Sequence, residues 1–265
     1  MKPINRAQVI ESGIIESFSK HAASYDRHAH LQKSMAERLA SMLPETFPER
    51  VIELGCGTGV FTRHLLAHPL RVLALNDIAL AMIQRLKKSM SLPPNTEILV
   101  GNAESIVFPK AGLIVANAVF QWFLTPGKTL KRLHQVLLPG GSLVFSTFGP
   151  RTLEEFRNTL SLQSPTLLYS LEQWKTMLWN AGFEVRESHA EVRKTFTDST
   201  LALMRNLQQI GAAPFRMIGS GGVKKLIREY DAKFNTAQGV YAHWEIYYFS
   251  AVPKHTPDLE DPNNI

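Results

Sequence analysis

Three alternating glycines follow a short apolar run in the segment VIELGCGTGV, residues 51–60. Glycine lets the backbone adopt positive φ angles and approach a ligand closely, and a helix that begins after such a turn offers unpaired backbone amides. A dinucleotide-binding turn would need a further glycine where Val60 stands. A phosphate-binding P-loop would need a lysine directly after Gly59. The turn therefore predicts a ligand site that matches neither of these two motifs.

Glu53, two residues before Gly55, indicates which kind of ligand the turn binds. A carboxylate at the end of a strand disfavours a pyrophosphate and favours a ligand that carries a positive charge. S-adenosylmethionine has an ammonium and a sulfonium group, and its own carboxylate can accept hydrogen bonds from backbone amides. We therefore expect S-adenosylmethionine as the cofactor. Glu53 and Val60 both count against an NAD-dependent oxidoreductase.

Polar side chains also stand at the ends of the next three predicted strands. Asp77 follows the glycine turn by about twenty residues, where an acidic residue can accept hydrogen bonds from both ribose hydroxyls. It could equally cap the helix that follows it. Asn102 lies where an adenine amino group is expected, and Asn117 leaves the fourth strand toward the same crevice. Polar groups at successive carboxyl ends of a parallel sheet are typical of a ligand site.

Strands and helices alternate between residues 50 and 148, and this alternation must position the polar groups. Short apolar runs such as RVLALN are separated by helical patterns such as ALAMIQRLKKSM, which is typical of a parallel sheet with helices on both faces. The PGG step at residues 139–141 predicts a turn into the fifth strand. Beyond it we expect a helix that ends at Gly182, a strand, a mostly helical stretch and a last strand.

The predicted fold is α/β and Rossmann-like, with a seven-stranded, mostly parallel sheet. Residues 1–48 are expected to form an N-terminal helical lid, because apolar residues recur at three- and four-residue spacing on both sides of the break ASYD. Residues 49–252 form the main domain, in which residues 198–240 are a helical insert before the last strand. The tail, residues 253–265, is rich in proline and acidic residues and is predicted to be disordered.

The composition of the 265 residues, with 45% hydrophobic and 20% charged side chains, is that of an ordinary globular protein. No apolar run approaches the about 20 residues that span a bilayer, and the N-terminus lacks the apolar core of a signal peptide. A single cysteine, Cys56, excludes an intramolecular disulfide and any multi-cysteine metal site. We expect a cytoplasmic monomer that binds no metal and no membrane.

The net charge of +6 permits an acidic partner. The sequence has no Lys/Arg block of the kind that marks a nucleic-acid-binding arm, and no run in which aromatic and basic residues interleave. We therefore expect no nucleic-acid partner.

Four motifs resemble, in order and spacing, the class I S-adenosylmethionine-dependent methyltransferases: ELGCGTG, the ND at the end of the second strand, GNAE and LLPGG. They cover about residues 50–148 and imply the Rossmann-like fold of that superfamily. The resemblance also implies a cofactor pocket. Its expected members are Gln32, Glu53, Gly55, Cys56, Gly57, Asp77, Ile78, Met82, Asn102, Ala103, Glu104, Asn117 and Gln121.

A narrower resemblance extends over nearly the whole chain. The segments FSKHAASYDRHAHLQKSMAERL, NAVFQW, FSTFGPRTLEEFR and YAHWEI are similar to those of the malonyl-acyl-carrier-protein O-methyltransferases, which open the pimeloyl branch of biotin synthesis. This resemblance implies methyl esterification of the free carboxylate of a malonyl thioester. Two departures stand out: Asn102 replaces the more usual aspartate, and NDIALAM lacks the usual serine and prolines after Asp77.

The implied acceptor, a carboxylate, is already ionised at neutral pH, so the reaction needs no general base. Catalysis then depends on alignment and on exclusion of water. Tyr25 is expected to reach the sulfonium or the acceptor oxygen, or else to serve only in packing. Arg151 is the candidate cation for the malonyl carboxylate, or else a solvated arginine, with Arg157 on the exposed face of its helix. We expect Gln121 to face the crevice and Trp122 to form core or pocket wall.

The implied partner is an acyl carrier protein carrying malonyl-phosphopantetheine, or malonyl-coenzyme A, which presents the same arm. Basic residues of the helical insert are expected either to dock an acidic carrier or to form an ordinary solvated surface. They are Arg205, Arg216, Lys224 and Lys225. The alternatives are a methyltransferase of the same fold that acts on a free carboxylic acid or a quinone ring, an RNA methyltransferase, and a binding protein without catalysis.

Overall fold

The central sheet contains eight strands among the residues that the computed structural model describes, which are 6–160, 167–211 and 220–254. Seven strands form the main path in the order β3-β2-β1-β4-β5-β8-β6, and a two-residue strand, β7, pairs with β8. The strands are β1 (Arg50–Leu54), β2 (Val72–Asp77), β3 (Thr96–Val100), β4 (Ala111–Asn117), β5 (Leu137–Phe148), β6 (Phe183–Thr197), β7 (Asn235–Thr236) and β8 (Gly239–Pro253). The predicted seven-stranded path is thus confirmed.

The first five strands of this path are parallel, and only β8 and β6 run antiparallel to their neighbours. A helix connects β1 to β2, β2 to β3 and β4 to β5, as the alternating pattern predicts, whereas β3 leads to β4 through turns and a loop. The helices of the described residues are α1 (Arg6–His21), α2 (Tyr25–His28), α3 (His30–Ala40), α4 (Thr62–Leu65), α5 (Leu80–Ser89), α6 (Pro126–Val136), α7 (Glu154–Leu160), α8 (Leu171–Asn180), α9 (Thr200–Gln209) and α10 (Ser220–Phe234).

Two hydrophobic layers, one on each face of the sheet, hold these elements together. Successive side chains of a strand point to opposite faces. Accordingly Val51 and Leu73 pack into one layer, while Ile52 and Ala74 pack into the other. All four side chains are almost fully buried. This burial on both sides explains why β1 and β2 read as continuous apolar runs instead of alternating ones.

The N-terminal helices lie against both the sheet and the later helices. α1 contacts α5, and α3 contacts β4 and β5. Two side-chain hydrogen bonds tie the first helices to the end of α9: Ser24 Oγ donates to Gln209 Oε1 at 2.6 Å, and Ser17 Oγ donates to the Gly211 carbonyl at 3.3 Å. These helices therefore connect the first half of the sheet to the segment predicted as an insert.

The structure differs from the predicted elements in two places. β5 begins at Leu137, before the PGG step, because Leu137 already pairs with Ala111 and the register shifts only afterwards. Gly140, at φ +74°, accommodates the irregularity inside the strand. At the C-terminus, Pro253 ends β8 and so is not part of a disordered tail. Residues 255–265 lie outside the described residues, and no described helix is both long enough and apolar enough to cross a membrane.

Candidate active site

The three glycines of the turn have positive φ angles, which residues with a Cβ rarely adopt. Gly55, Gly57 and Gly59 have φ angles of +60°, +55° and +92°. A Cβ on Gly55 would lie only 2.5 Å from Cγ2 of Val119, whereas a Cβ on Gly57 would meet nothing closer than a carbonyl oxygen at 3.9 Å. The turn thus brings bare backbone to the carboxyl end of β1 and leaves open space beside Gly57.

A cleft lies over the carboxyl ends of β1 to β4 and is lined by residues that follow all four strands. α1 and α2 contribute to its wall, through Ile10, Glu11, Ile14 and Phe18 of α1 and Tyr25 of α2. The cleft brings together Tyr25 and nine of the residues predicted for the cofactor pocket. These nine are Gly55, Gly57, Asp77, Ile78, Met82, Asn102, Ala103, Glu104 and Asn117.

Asp77 joins the glycine turn to the start of α5. Its Oδ2 accepts a hydrogen bond from the Gly57 amide, and its Oδ1 accepts one from the Ala79 amide, both at 2.8 Å. Burial raises the pKa of Asp77 to about 6, although these two hydrogen bonds oppose the shift. Asp77 therefore lines the cleft and also stabilises the first turn of the helix, so both of its predicted roles remain compatible with its position.

Glu53 lies beneath the cleft and not in its wall. Its side chain is 1% exposed and accepts a hydrogen bond from Thr62 Oγ1 at 2.7 Å. Burial raises the pKa of Glu53 to about 8; the Thr62 bond opposes this shift, and the charge of Asp77 adds to it. The open negative charge expected from the sequence is therefore wrong for the free protein, in which this carboxyl holds a proton at neutral pH.

Asn102 and Glu104 occupy the end of β3, but their polar atoms already have partners. Asn102 Oδ1 accepts a hydrogen bond from the Glu104 amide at 2.9 Å, and its Nδ2 donates to Glu11 Oε2 at 3.0 Å. The Glu104 carboxylate accepts bonds from the amides of Leu124 and Thr125, just before α6. Glu104 thus stabilises the N-terminus of α6, and its carboxylate points toward that helix.

Asn117 connects the end of β4 to α3. Its Nδ2 donates to the Gln32 carbonyl at 3.0 Å, and its Oδ1 accepts from Ser146 Oγ at 2.8 Å. Gln32 does not line the cleft; its side chain is 7% exposed, and its Oε1 has no hydrogen-bonding partner among the described residues. The backbone of Gln32, and not its side chain, makes the contact with a cleft residue.

Two further residues predicted for the pocket, Gln121 and Cys56, do not line the cleft. Gln121 lies in the 3₁₀ turn of residues 120–122 and is buried, with its Nε2 donating to the Ala118 carbonyl at 2.7 Å. Trp122 lies in the cleft wall, where its ring makes a T-shaped contact with the ring of Phe18. The Cys56 thiol belongs to the hydrophobic core, where burial raises its pKa. Only the backbone of Cys56 forms part of the turn.

Tyr25 lines the cleft beside Phe18, and its pKa is raised well above the usual value by burial and by the charges of Asp77 and Asp26. It therefore keeps its phenolic proton at any physiological pH. The next residue, Asp26, was not predicted from the sequence, yet its carboxylate accepts a hydrogen bond from Thr58 in the glycine turn. The apolar wall of α1 was also missed, although its three- and four-residue spacing was visible.

Of the two arginines after β5, Arg151 is exposed, as one of its two predicted roles requires, whereas Arg157 differs from expectation. The Arg151 side chain is 54% exposed and lies 3.6 Å from Glu154, outside the cleft wall. Arg157, expected on an exposed helix face, is half-buried and donates to the carbonyls of Thr152 and Pro150. Arg157 therefore holds the loop after β5 in shape.

A small cluster of potential metal ligands lies beyond the same loop: Glu154, Glu155 and His243 offer ligand atoms within 4.8 Å of one another. Glu155 is buried and hydrogen bonds to the ring of His243, while Glu154 pairs with Arg151. Internal ion pairs and hydrogen bonds account for this cluster.

The cleft fits S-adenosylmethionine. Bare backbone beside Gly57 suits the close approach of the methionine end, and the Asp77 carboxylate lies where ribose hydroxyls are expected. Asn102 and Glu11 contribute donor and acceptor groups to the cleft at the end of the third strand. Apolar side chains such as Ile78, Met82 and Val119 form much of the remaining wall, which suits the apolar faces of a nucleoside.

Residues 25–188 match the family model described as a methyltransferase domain. The chain is 34% identical to the malonyl-[acyl-carrier protein] O-methyltransferase of Paenibacillus sp. (strain JDR-2), over 89% of this chain and 96% of that relative. The chain belongs to this methyltransferase family. S-adenosyl-L-methionine is accordingly its cofactor, as the glycine turn predicts.

This methyltransferase is also 29% identical to the biotin biosynthesis bifunctional protein BioHC of Saccharophagus degradans, over 86% of its own length and 44% of that relative. An S-adenosylmethionine-dependent methyltransferase from Mesorhizobium loti has the same fold: the TM-score is 0.53 at 18% identity, over 81% of this chain and 95% of that one. The predicted class I methyltransferase fold is confirmed.

Proposed function

We propose that this methyltransferase esterifies the free carboxylate of a malonyl thioester carried by an acyl carrier protein, in the pimeloyl branch of biotin synthesis. The observation that carries the proposal is the similarity to the Paenibacillus relative of that name over nearly the full length of both chains. A match to the methyltransferase domain alone would support the cofactor but not the acceptor. The similarity to BioHC supports the link to biotin synthesis.

The chemistry of the cleft agrees with an acceptor that needs no deprotonation. Bound S-adenosylmethionine supplies an electrophilic methyl group. Two ionisable side chains of the wall are poor bases for an alcohol or a carbon acid: Tyr25 keeps its proton, and both carboxylate oxygens of Asp77 are hydrogen bonded. A malonyl carboxylate is already ionised at neutral pH. The chain therefore has only to align the acceptor and exclude water.

We propose distinct tasks for the residues around the cleft. The nine lining residues bind the cofactor, and Gln32, Glu53, Cys56 and Gln121 support them from behind. The Tyr25 phenol donates a hydrogen bond to the acceptor carboxylate, and α1 and α2 exclude water. Arg151 anchors the malonyl group: its exposed side chain is paired only weakly with Glu154, at 3.6 Å, so it is available to turn toward the substrate.

We further propose that the carrier protein docks on the basic surface of α9 and α10. Arg205, Lys224 and Lys225 are exposed there, and Lys225 lies 3.9 Å from Glu229. α10 contacts α7, which begins three residues after Arg151, so this surface adjoins the proposed anchor. Arg216 lies outside the described residues. We propose a cytoplasmic monomer, with no nucleic-acid partner, as the working form.

The test is single-turnover methyl transfer from radiolabelled S-adenosylmethionine to malonyl-acyl carrier protein and to malonyl-coenzyme A. We expect base-labile label on the malonyl group, as a methyl ester requires, and a large loss with Arg151→Ala. Arg71→Ala is the matched control, because Arg71 is also exposed and paired with a glutamate, Glu49, at 3.1 Å. Label on another carboxylic acid or on a quinone, but on neither malonyl thioester, would contradict the proposal and leave the cofactor assignment intact.

A further inference from the structure

A hydrogen bond crosses the cleft between α1 and the end of β3. Asn102 Nδ2 donates to Glu11 Oε2 at 3.0 Å, and both residues line the cleft. Glu11 is partly buried, and Ile10, Ile14 and Phe18 of the same helix form the apolar wall around it. An acidic side chain from the lid is therefore positioned inside the cofactor cleft.

The orientation of the Asn102 amide determines what this end of the cleft offers to a ligand. Its oxygen accepts from the Glu104 amide at 2.9 Å, so its amino group is the part that faces Glu11. Asn102 Oδ1 thus already has a donor. Glu11 Oε1, by contrast, has no hydrogen-bonding partner among the described residues. At the end of β3, the carboxylate of the lid is the strongest acceptor still available.

We propose that Glu11 is a cofactor-binding residue that accepts a hydrogen bond from the exocyclic amino group of the adenine ring. The methionine and ribose ends of the cofactor belong to the glycine turn and to Asp77, which leaves the adenine for the end of β3. An amino group donates to a carboxylate, whereas a carbonyl oxygen in its place would be repelled. Glu11 therefore selects adenine, and α1 closes over the base that it recognises.

This inference rests on the cofactor of the proposed function but not on its acceptor, so a binding experiment tests it separately. Calorimetry on the full chain would compare S-adenosylhomocysteine with S-inosylhomocysteine, which carries a carbonyl oxygen in place of the adenine amino group. We expect the wild-type protein to prefer the adenosyl compound. Glu11→Gln, whose amide can turn either an acceptor or a donor to the base, should lower this preference at least about tenfold.

The ratio of the two affinities separates recognition of the base from a merely structural role. If Glu11 only holds α1 on Asn102, Glu11→Gln will weaken both ligands equally, and the proposal is overturned. An unchanged ratio with unchanged affinities overturns it as well. Glu16→Gln is the matched control, because Glu16 is exposed on the same helix and does not line the cleft, and it should leave the ratio at the wild-type value.

A double variant adds a test by rescue. In Glu11→Gln/Asn102→Asp the carboxylate moves from the lid to the strand end, and the lid keeps an amide that can hydrogen bond to it. We expect the preference for the adenosyl ligand to return. The single variant Asn102→Asp places two carboxylates face to face across about 3 Å, so it should weaken both ligands by loosening α1. A double variant that stays as unselective as Glu11→Gln would contradict the proposal.

Discussion

The carboxylate of Asp26 accepts a hydrogen bond from the hydroxyl of Thr58 at 2.5 Å. This bond joins α2 directly to the glycine turn, since Thr58 stands between Gly57 and Gly59. Lys33 Nζ donates to the Asp26 carbonyl at 2.6 Å and so ties the start of α3 to the same point. The short helix that carries Tyr25 is therefore fixed to the glycine turn.

Removing this bond should loosen α2 without disturbing the core. Thr58→Val keeps the shape of a buried side chain but leaves Asp26 without its donor, so we expect a loss of about 1 kcal/mol in the free energy of unfolding. Hydrogen exchange should quicken at Ala29, whose amide donates to the Tyr25 carbonyl at the end of α2. Thr176→Val, at an exposed position, is the control. Unchanged exchange at Ala29 would show that Thr58 does not hold the lid.

The glycine turn gives a second prediction, based on its backbone. Gly55→Ala places a side chain at φ +60° and 2.5 Å from Val119, so the free energy of unfolding should fall by about 1–2 kcal/mol. Displacing Val119, which lines the cleft, should also abolish binding of S-adenosylhomocysteine. Gly127→Ala, in the first turn of α6, is the control, because a Cβ added at this position would have no atom within 4 Å. Urea unfolding and calorimetry would measure both effects, and tight binding by Gly55→Ala would contradict the prediction.

The buried carboxyl of Glu53 predicts how stability depends on pH. Its pKa is raised from 4.5 to about 8, so between these values the folded protein holds a proton that the unfolded chain releases. This contribution to stability is complete below about pH 4.5 and is lost as the pH rises through about 8. Glu53→Gln keeps an acceptor for Thr62 but cannot ionise. Urea unfolding between pH 5 and pH 9 should therefore show the wild-type protein losing stability relative to Glu53→Gln, and parallel profiles would refute the shift.

The fold and the residues at the strand ends could be predicted from the sequence, because both depend on patterns among residues that are close together in the chain. Burial on both faces of the sheet makes Val51 and Ile52 consecutive apolar residues, and parallel pairing brings Asp77 and Asn102 to one edge. These patterns can be read directly from the order of residues, and the resemblance to known methyltransferases agrees with them.

Contacts between distant segments could not be predicted in the same way. The hydrogen bond between Thr58 and Asp26 joins residues 32 positions apart, and the one between Asn102 and Glu11 joins residues 91 positions apart. No short-range pattern in the sequence predicts either pair. The charge of Glu53 was misjudged for a related reason: its protonation follows from complete burial, which only the packed structure reveals. Tertiary packing thus decides which polar atoms remain available to a ligand.

The proposed carrier surface predicts an effect that depends on the substrate. Lys224→Glu reverses an exposed charge on α10, so KM for malonyl-acyl carrier protein should rise several-fold at low salt, while KM for malonyl-coenzyme A stays nearly constant. Added salt should narrow the difference, because it screens exposed charges. Lys88→Glu is the matched control: Lys88 is exposed on α5, which connects β2 to β3 at the opposite edge of the sheet. Steady-state kinetics with both substrates would measure the effect. An equal rise in KM for both substrates would show that the carrier protein does not dock on this surface.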